Sequence, residues 1–132
     1  KNCNPREGRD LIIKLIRMKT GCLFSLSFVL GWVGRGGDVK ALDRIREAGY
    51  CFGICYQIID DLQDADSDME KNGGYNNVCY YYSYNEIIDL YQSYMNVFVN
   101  TARRYNLWNQ TTEALYSYFN NAFRVALKDR SS

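Results

Sequence analysis

Apolar positions recur at spacings of three and four along most of the chain, and no stretch of any length alternates apolar with polar. The pattern therefore predicts helices and no strands. Leu11, Ile12, Leu15 and Ile16 share one stripe with Lys14 and Arg17 outside it, which predicts a short first helix ending near Met18. A second is expected to start around Thr20, with the threonine hydroxyl as its cap, and to run to 31–37, where Gly31, Gly34, Gly36 and Gly37 end it. Asp38 reads as the N-cap of a long third helix striped by Leu42, Ile45, Ala48, Phe52, Cys55, Ile59 and Leu62. That helix is amphipathic up to Glu47 and uncharged on every side from Ala48 to Ile59, the pattern of a helix enclosed by others. Asn72-Gly73-Gly74-Tyr75-Asn76-Asn77 has loop chemistry. Ser83-Tyr84-Asn85-Glu86 has the spacing of a capping box, and Ile87, Ile88, Tyr91, Met95, Phe98, Val99 and Ala102 continue the helix it starts. A final helix over about 110–128 carries Leu115, Phe119, Ala122, Phe123 and Ala126. The product is an all-α bundle, or half of one.

With 132 residues and 47% hydrophobic content the chain is one domain or part of one, with enough apolar surface for a packed core. The net charge of +1 argues against an overall electrostatic partner such as nucleic acid. The sign is uneven, however. Residues 1–20 carry Lys1, Arg6, Arg9, Lys14, Arg17 and Lys19 against Glu7 and Asp10, whereas 60–70 carries only acids. Opposed regions of this kind suit a multiply anionic ligand held by bases on one side and by a metal on the other. The five cysteines are an odd number, and those inside apolar helical patterns read as small buried hydrophobes in a reducing, intracellular compartment. Cys51 and Cys55 share a helix face, but with no histidine and no CxxC partner they read as core. The apolar run from Gly21 to Val33, bounded by Lys19 and Arg35, is about six residues short of a bilayer span. A first residue that is Lys1 reads as part of something longer.

Asp60, Asp61, Asp64, Asp66, Asp68 and Glu70 fall within eleven positions directly after the apolar helix. At about 6 Å and an effective dielectric near 20, each like-charged pair costs roughly 3 kcal/mol before salt screening. Asp60 and Asp64 lie within about 40° of one another on a helix, and Gln57 shares their face. Three carboxylates at i, i+1 and i+4 are hard oxygen donors of the kind Mg²⁺ accepts, completed by water and phosphate oxygens. The competing reading is a solvated helix end. It is disfavoured by the macrodipole at a helix C-terminus and by the apolar helix that precedes the acids. An EF-hand fails at its sixth position, Met69, and its twelfth, Tyr75. Lys19-Thr20-Gly21 stands at a helix junction, where a lysine and free backbone N–H groups can meet a phosphate.

Taken together, the stretch from Ile12 through Lys19-Thr20-Gly21-Cys22-Leu23 and the stretch Gly49-Tyr50-Cys51-Phe52-Gly53-Ile54-Cys55-Tyr56-Gln57-Ile58-Ile59-Asp60-Asp61-Leu62-Gln63-Asp64 resemble the second half of the trans-isoprenyl diphosphate synthases. The resemblance covers about residues 9–80, and the last two helices match only by pattern. It implies that residues 1–132 are the C-terminal part of a single domain with the class I isoprenoid synthase fold. It also implies condensation of isopentenyl diphosphate with an allylic diphosphate, to give a short-chain trans-prenyl diphosphate such as farnesyl or geranylgeranyl diphosphate. Carried onto this chain, Asp60, Asp61 and Asp64 become the second aspartate-rich motif that holds Mg²⁺. Lys19 becomes the ligand of the allylic diphosphate, and Thr20 and Gln57 the residues beside the reacting carbon.

Several positions depart from the family pattern. Tyr56 stands where phenylalanine is usual, and Lys71 is the only base able to stand in for a missing Gly-Lys pair. The family's first aspartate-rich motif and its isopentenyl diphosphate site have no counterpart in these residues, so the segment alone is expected to be inactive. A terpene cyclase motif is not formed, because Asp64 and Asp68 occupy its Ser/Thr and Glu positions. The alternative is a non-catalytic or regulatory subunit of a prenyl synthase heteromer. The resemblance further implies a homodimer through the full-length fold and an intracellular location, either cytoplasmic or at the cytoplasmic side of a membrane reached through a further N-terminal segment, and it leaves those two open. The Asn- and Tyr-rich, His-free composition suggests an AT-rich genome such as that of a large DNA virus.

Overall fold

The computed structural model describes residues 5–73 and 77–131, so Lys1, Cys3 and the middle of the expected loop, Gly74, Tyr75 and Asn76, lie outside the described residues. So do the side chains of Asp68 and Met69. Five α-helices account for most of what is described: α1 (Pro5–Ile16), α2 (Cys22–Gly34), α3 (Leu42–Asn72), α4 (Tyr84–Arg104) and α5 (Gln110–Ser131). Among the described residues there is no strand, and no helix is long and apolar enough to cross a membrane.

The junction of α1 and α2 differs from expectation. Thr20 caps nothing; α2 follows Gly21 with no side-chain cap, and both Ile16 and Gly21 keep right-handed helical angles. A π-helical turn, Arg17–Gly21, joins the two helices into one bent rod. The turn carries one residue more than an α-turn would, and the burial pattern gives the reason. Gly8, Ile12, Ile16, Gly21 and Ser25 form the buried line, at steps of four except for the step of five between Ile16 and Gly21, with Trp32 buried two turns further on. An unbroken α-helix would have put Thr20 on that line. The extra residue puts glycine there instead.

Glycine is needed because α2 and α3 cross at backbone contact. A Cβ on Gly53 would come within 2.8 Å of the Gly21 Cα, and a Cβ on Gly49 within 2.6 Å of the Ser25 Cα. Such approaches leave no room for a side chain. Beside this crossing the core runs through Phe52, Ile54, Ile58, Tyr91, Phe98, Phe119 and Phe123, all buried. The enclosed helix read from the sequence is α3, which touches each of the other four.

Asp38 acts as expected, its side chain accepting from the Lys40 backbone N–H at 3.0 Å, although it caps a short 3₁₀ turn (Val39–Ala41) that leads into α3. The Ser83–Glu86 capping box is present at the start of α4. α3 ends at Gly73, whose φ of 71° places it in the left-handed region glycine favours. Four positions expected on buried faces are exposed: Leu11 and Leu15, which leave Ile12 and Ile16 as the buried half of the first stripe, and two further residues. Cys22 is exposed, and so is Leu115, because α5 rests its Phe119–Phe123–Ala126 face on the core and turns Leu115 outward. Cys51 and Cys55 are buried core, as read.

One face of the bent rod is apolar and uncovered among the described residues. Leu11, Leu15, Met18, Leu23, Leu26, Leu30 and Val33 are exposed at spacings of four, three, five, three, four and three. The step of five falls at the π turn, so the same extra residue that places Gly21 inside keeps this outer stripe continuous.

Candidate functional site

Where α2 meets α3 the chain builds a short polar relay. Thr20, displaced from the buried line by the π turn, donates its hydroxyl to Gln57 Oε1 at 2.7 Å. Gln57 then divides its amide between two acids, donating from Nε2 to Asp61 Oδ1 at 2.9 Å and to Asp60 Oδ2 at 3.2 Å. Two residues 37 apart in sequence thus form one hydrogen-bonded unit with the first two aspartates. The glycine crossing supplies the proximity, since larger residues there would push the Thr20 hydroxyl out of reach.

The three aspartates have different surroundings. Asp61 is buried, and besides Gln57 it accepts from the Val78 backbone N–H at 2.9 Å through Oδ2. Its backbone carbonyl accepts from Asn77 Nδ2 at 2.8 Å. Asp61 therefore ties the segment after the loop back onto α3, which accounts for a charge kept inside. Asp60 is half-buried and opens on a cavity of about 180 Å³ whose wall includes Tyr56, Gln63, Tyr118 and Phe119. Asp64 is exposed. Among the described residues no group of three Asp, Glu, Cys or His side chains is arranged to hold a metal ion. Asp60 and Asp64 remain as hard-oxygen donors one turn apart on the same face, with their carboxylates reachable from solvent, whereas Asp61 is buried and each of its carboxylate oxygens accepts a hydrogen bond within the fold. The donor chemistry of that pair fits a magnesium ion completed by water and phosphate oxygens.

The bases divide in the same way. Arg9 pairs with Glu86 at 2.8 Å and donates to the Tyr81 carbonyl, which holds α1 to the start of α4. Arg17 makes two bonds to Glu47, at 3.0 and 3.1 Å, and that partner holds its pKa above the ordinary guanidinium value. Neither is a spare cation. Lys19 is exposed, makes no ion pair with a described residue, and precedes Thr20 in the same turn, so it stands beside the relay. Lys71 is exposed near the end of α3, two turns beyond Asp64.

Of the residues singled out from the sequence, the structure joins Thr20, Gln57, Asp60 and Asp61 directly, with Lys19 adjoining and Asp64 on the same helix face. Lys71 makes no contact with this group among the described residues. Sequence reasoning missed Asn77 and Val78. Asn77 is 1% exposed and its Oδ1 also accepts from the Cys79 N–H, an Asx turn that an asparagine directly ahead of an apolar pair could have signalled. The aromatic wall contributed by Tyr118 and Phe119 was also missed, since nothing local ties α5 to Asp60.

Comparison with known proteins gives one family and a set of partial relatives. A family model described as polyprenyl synthetase matches residues 8–76, just over half of the chain. A trans-prenyltransferase of African swine fever virus (isolate Pig/Kenya/KEN-50/1950) is 37% identical over 54 residues, which is 41% of this chain and 17% of that protein. Heptaprenyl diphosphate synthase component 2 of Bacillus subtilis (strain 168) is 38% identical over 70 residues, 53% of this chain and 20% of that protein. Geranylgeranyl pyrophosphate synthase 4 of Arabidopsis thaliana is 36% identical over 55 residues, 42% of this chain and 15% of that protein. The matched stretches thus span a fifth or less of these relatives. No solved structure matches the chain. The matched residues include the π turn, the glycine crossing and the acids of α3.

Proposed function

The chain belongs to the polyprenyl synthetase family, and from that premise we propose that it supplies the allylic diphosphate half of a prenyltransferase site that condenses isopentenyl diphosphate with an allylic diphosphate. The observation that carries this reading is the relay from Thr20 through Gln57 to Asp60 and Asp61, with Lys19 in the same turn as Thr20.

Each member has a task that follows from its bonds. Lys19 offers a compact ammonium to a diphosphate oxygen. Thr20 has committed its proton to Gln57, so its oxygen presents only lone pairs, the polarity a developing allylic cation needs. Gln57 is held by the two acids with its carbonyl aimed at Thr20, which orients both oxygens before substrate arrives. Asp60 and Asp64 would hold magnesium, which when bound neutralises charge on the departing diphosphate. Asp61 holds the Asn77–Val78 segment against α3 from inside. The cavity beside Asp60 offers an aromatic and apolar wall on which a prenyl chain can lie.

The test uses the full-length protein with labelled isopentenyl diphosphate, a set of allylic primers and Mg²⁺. An elongated prenyl diphosphate is expected, and Asp60→Ala is expected to lower turnover on the order of 10²-fold. Failure with every primer, or equal product from the variant, overturns the reading, and turnover by residues 1–132 alone overturns its restriction to half a site. A second reading, a helical subunit of a prenyl synthase heteromer, is favoured by the uncovered stripe from Leu11 to Val33. It predicts that activity appears only when a second, different chain is added.

A further inference from the structure

The turn that carries Lys19 and Thr20 is held at both of its ends by one aromatic ring. Tyr50, on α3, presents its ring face to Arg17, the first residue of the π turn, whose guanidinium carbon lies 4.2 Å from the ring centroid. The edge of the same ring lies against Gly21, the last residue of the turn, where an added Cβ would come within 2.9 Å of Tyr50 Cδ1. Glu47, one turn earlier on α3, takes both hydrogen bonds from the Arg17 guanidinium, at 3.0 and 3.1 Å. The Tyr50 hydroxyl meets Cys22 Sγ, at the first residue of α2, at 3.9 Å.

This matters because a π turn is the less stable form of a helix and persists only where its surroundings hold it. Relaxation to a regular α-turn would rotate α1 against α2 by about 100°, one residue's worth, and would take Lys19 and the Thr20 hydroxyl with it. The glycine crossing restrains the turn from inside the bundle. The Arg17, Glu47 and Tyr50 group restrains it from outside, by a forked ion pair laid over an aromatic face.

Resting on the prenyl diphosphate reading for the identity of the ligand, we propose that Arg17, Glu47 and Tyr50 are positioning residues that hold the extra residue of this turn and so set the reach of Lys19 and Thr20 towards an allylic diphosphate. None of the three touches the relay itself.

Two measurements on the full-length protein test this. Hydrogen–deuterium exchange over residues 16–24 is expected to rise roughly tenfold in Arg17→Ala and in Tyr50→Ala, with α4 and α5 unchanged as the check on folding. Tyr50→Phe keeps the ring and is expected to behave as the parent, and Arg17→Lys to recover most of the protection. In turnover, KM for the allylic diphosphate is expected to rise roughly fivefold to tenfold in the alanine variants while KM for isopentenyl diphosphate stays within about twofold. Unchanged exchange over 16–24 overturns the clamp whatever the enzyme does. Raised exchange with an unchanged allylic KM overturns its positioning role. If the parent protein turns over no allylic diphosphate, the prenyl reading falls, and the exchange data still decide the clamp. Should Arg17→Ala fail to fold, Glu47→Gln, which keeps size and removes charge, carries the same expectations at smaller amplitude.

Discussion

The seams on the two sides of α3 are built by opposite means. Towards α2 the contact is made by absence: Gly21 and Ser25 meet Gly49 and Gly53 with backbones touching, and the polar relay lies directly alongside. Away from α2 the contacts are made by bulk: α3 meets α5 with Phe52 stacked on Phe119 at 4.3 Å between ring centroids, and α4 meets α5 with Tyr91 stacked on Phe123 at 3.8 Å. Between α4 and α5 a groove of about 470 Å³ remains over Tyr91, Met95 and Phe123, where ring packing leaves an irregular surface. The first seam brings backbones into contact and holds the polar groups; the second is filled by buried aromatic rings. Close approach and bulk are thus supplied by different residues.

The comparison can be broken most forcefully on the bulky side. Phe123→Ala removes a stacked ring from the core and is expected to cost about 4 kcal/mol in a urea titration, with the relay geometry retained in what remains folded. On the close-packed side a single methyl should suffice. Gly53→Ala is expected to cost about 2 kcal/mol and to part Thr20 from Gln57, because its Cβ meets backbone that cannot yield. Gly31→Ala sharpens the point. It lies in α2 with nothing within 4 Å of an added Cβ, so the same substitution there is expected to stabilise by about 0.5 kcal/mol through helix propensity. If both glycines respond alike, the close-approach account of the α2–α3 seam is wrong.

A loss smaller than that at Gly53 is expected at Asp61. Asp61→Asn replaces a charge-assisted acceptor of the Val78 N–H and sets an amide donor against Gln57, with an expected loss of about 1–2 kcal/mol. Exchange protection at Val78 is the direct readout. The smallest effect is a slope with pH. Burial, then the Glu47 charge, pushes the Cys51 thiol from its ordinary 9.0 up to about 12, and burial raises Cys55 and Tyr91 as well. An unfolded thiol ionises first, so the stability linked to Cys51 is intact below pH 9.0 and declines as pH climbs towards 12. Melting temperature is expected to fall between about pH 9 and about pH 12, and Cys51→Ala to flatten that fall.

How much of this was legible depends on the range of the forces involved. The long α3 with its enclosed middle, the capping box at Ser83 and Glu86, and the buried stripe of α4 follow from local periodicity and cap chemistry, and the structure reproduces them. The candidate residues were legible as types: acids at helical spacing after an apolar helix, and a lysine with a threonine near a junction. Thr20 was misread as a cap because a hydroxyl before an apolar run has that local signature, while its true partner, Gln57, is 37 positions away. Asp61 was grouped with its neighbours because a one-dimensional pattern does not distinguish a carboxylate facing solvent from one facing the Val78 amide.

By itself, the sequence determined the helical class, the helix order and which side chains carry charge, because periodicity, capping and ionisation are properties of near neighbours. The tertiary structure alone decided that the chain passes from α1 to α2 through a π turn, that Thr20 faces Gln57, and that only some of the acids and bases are left uncommitted. Those outcomes depend on which backbones can touch, and the glycine contacts that permit it exist only once α2 lies across α3.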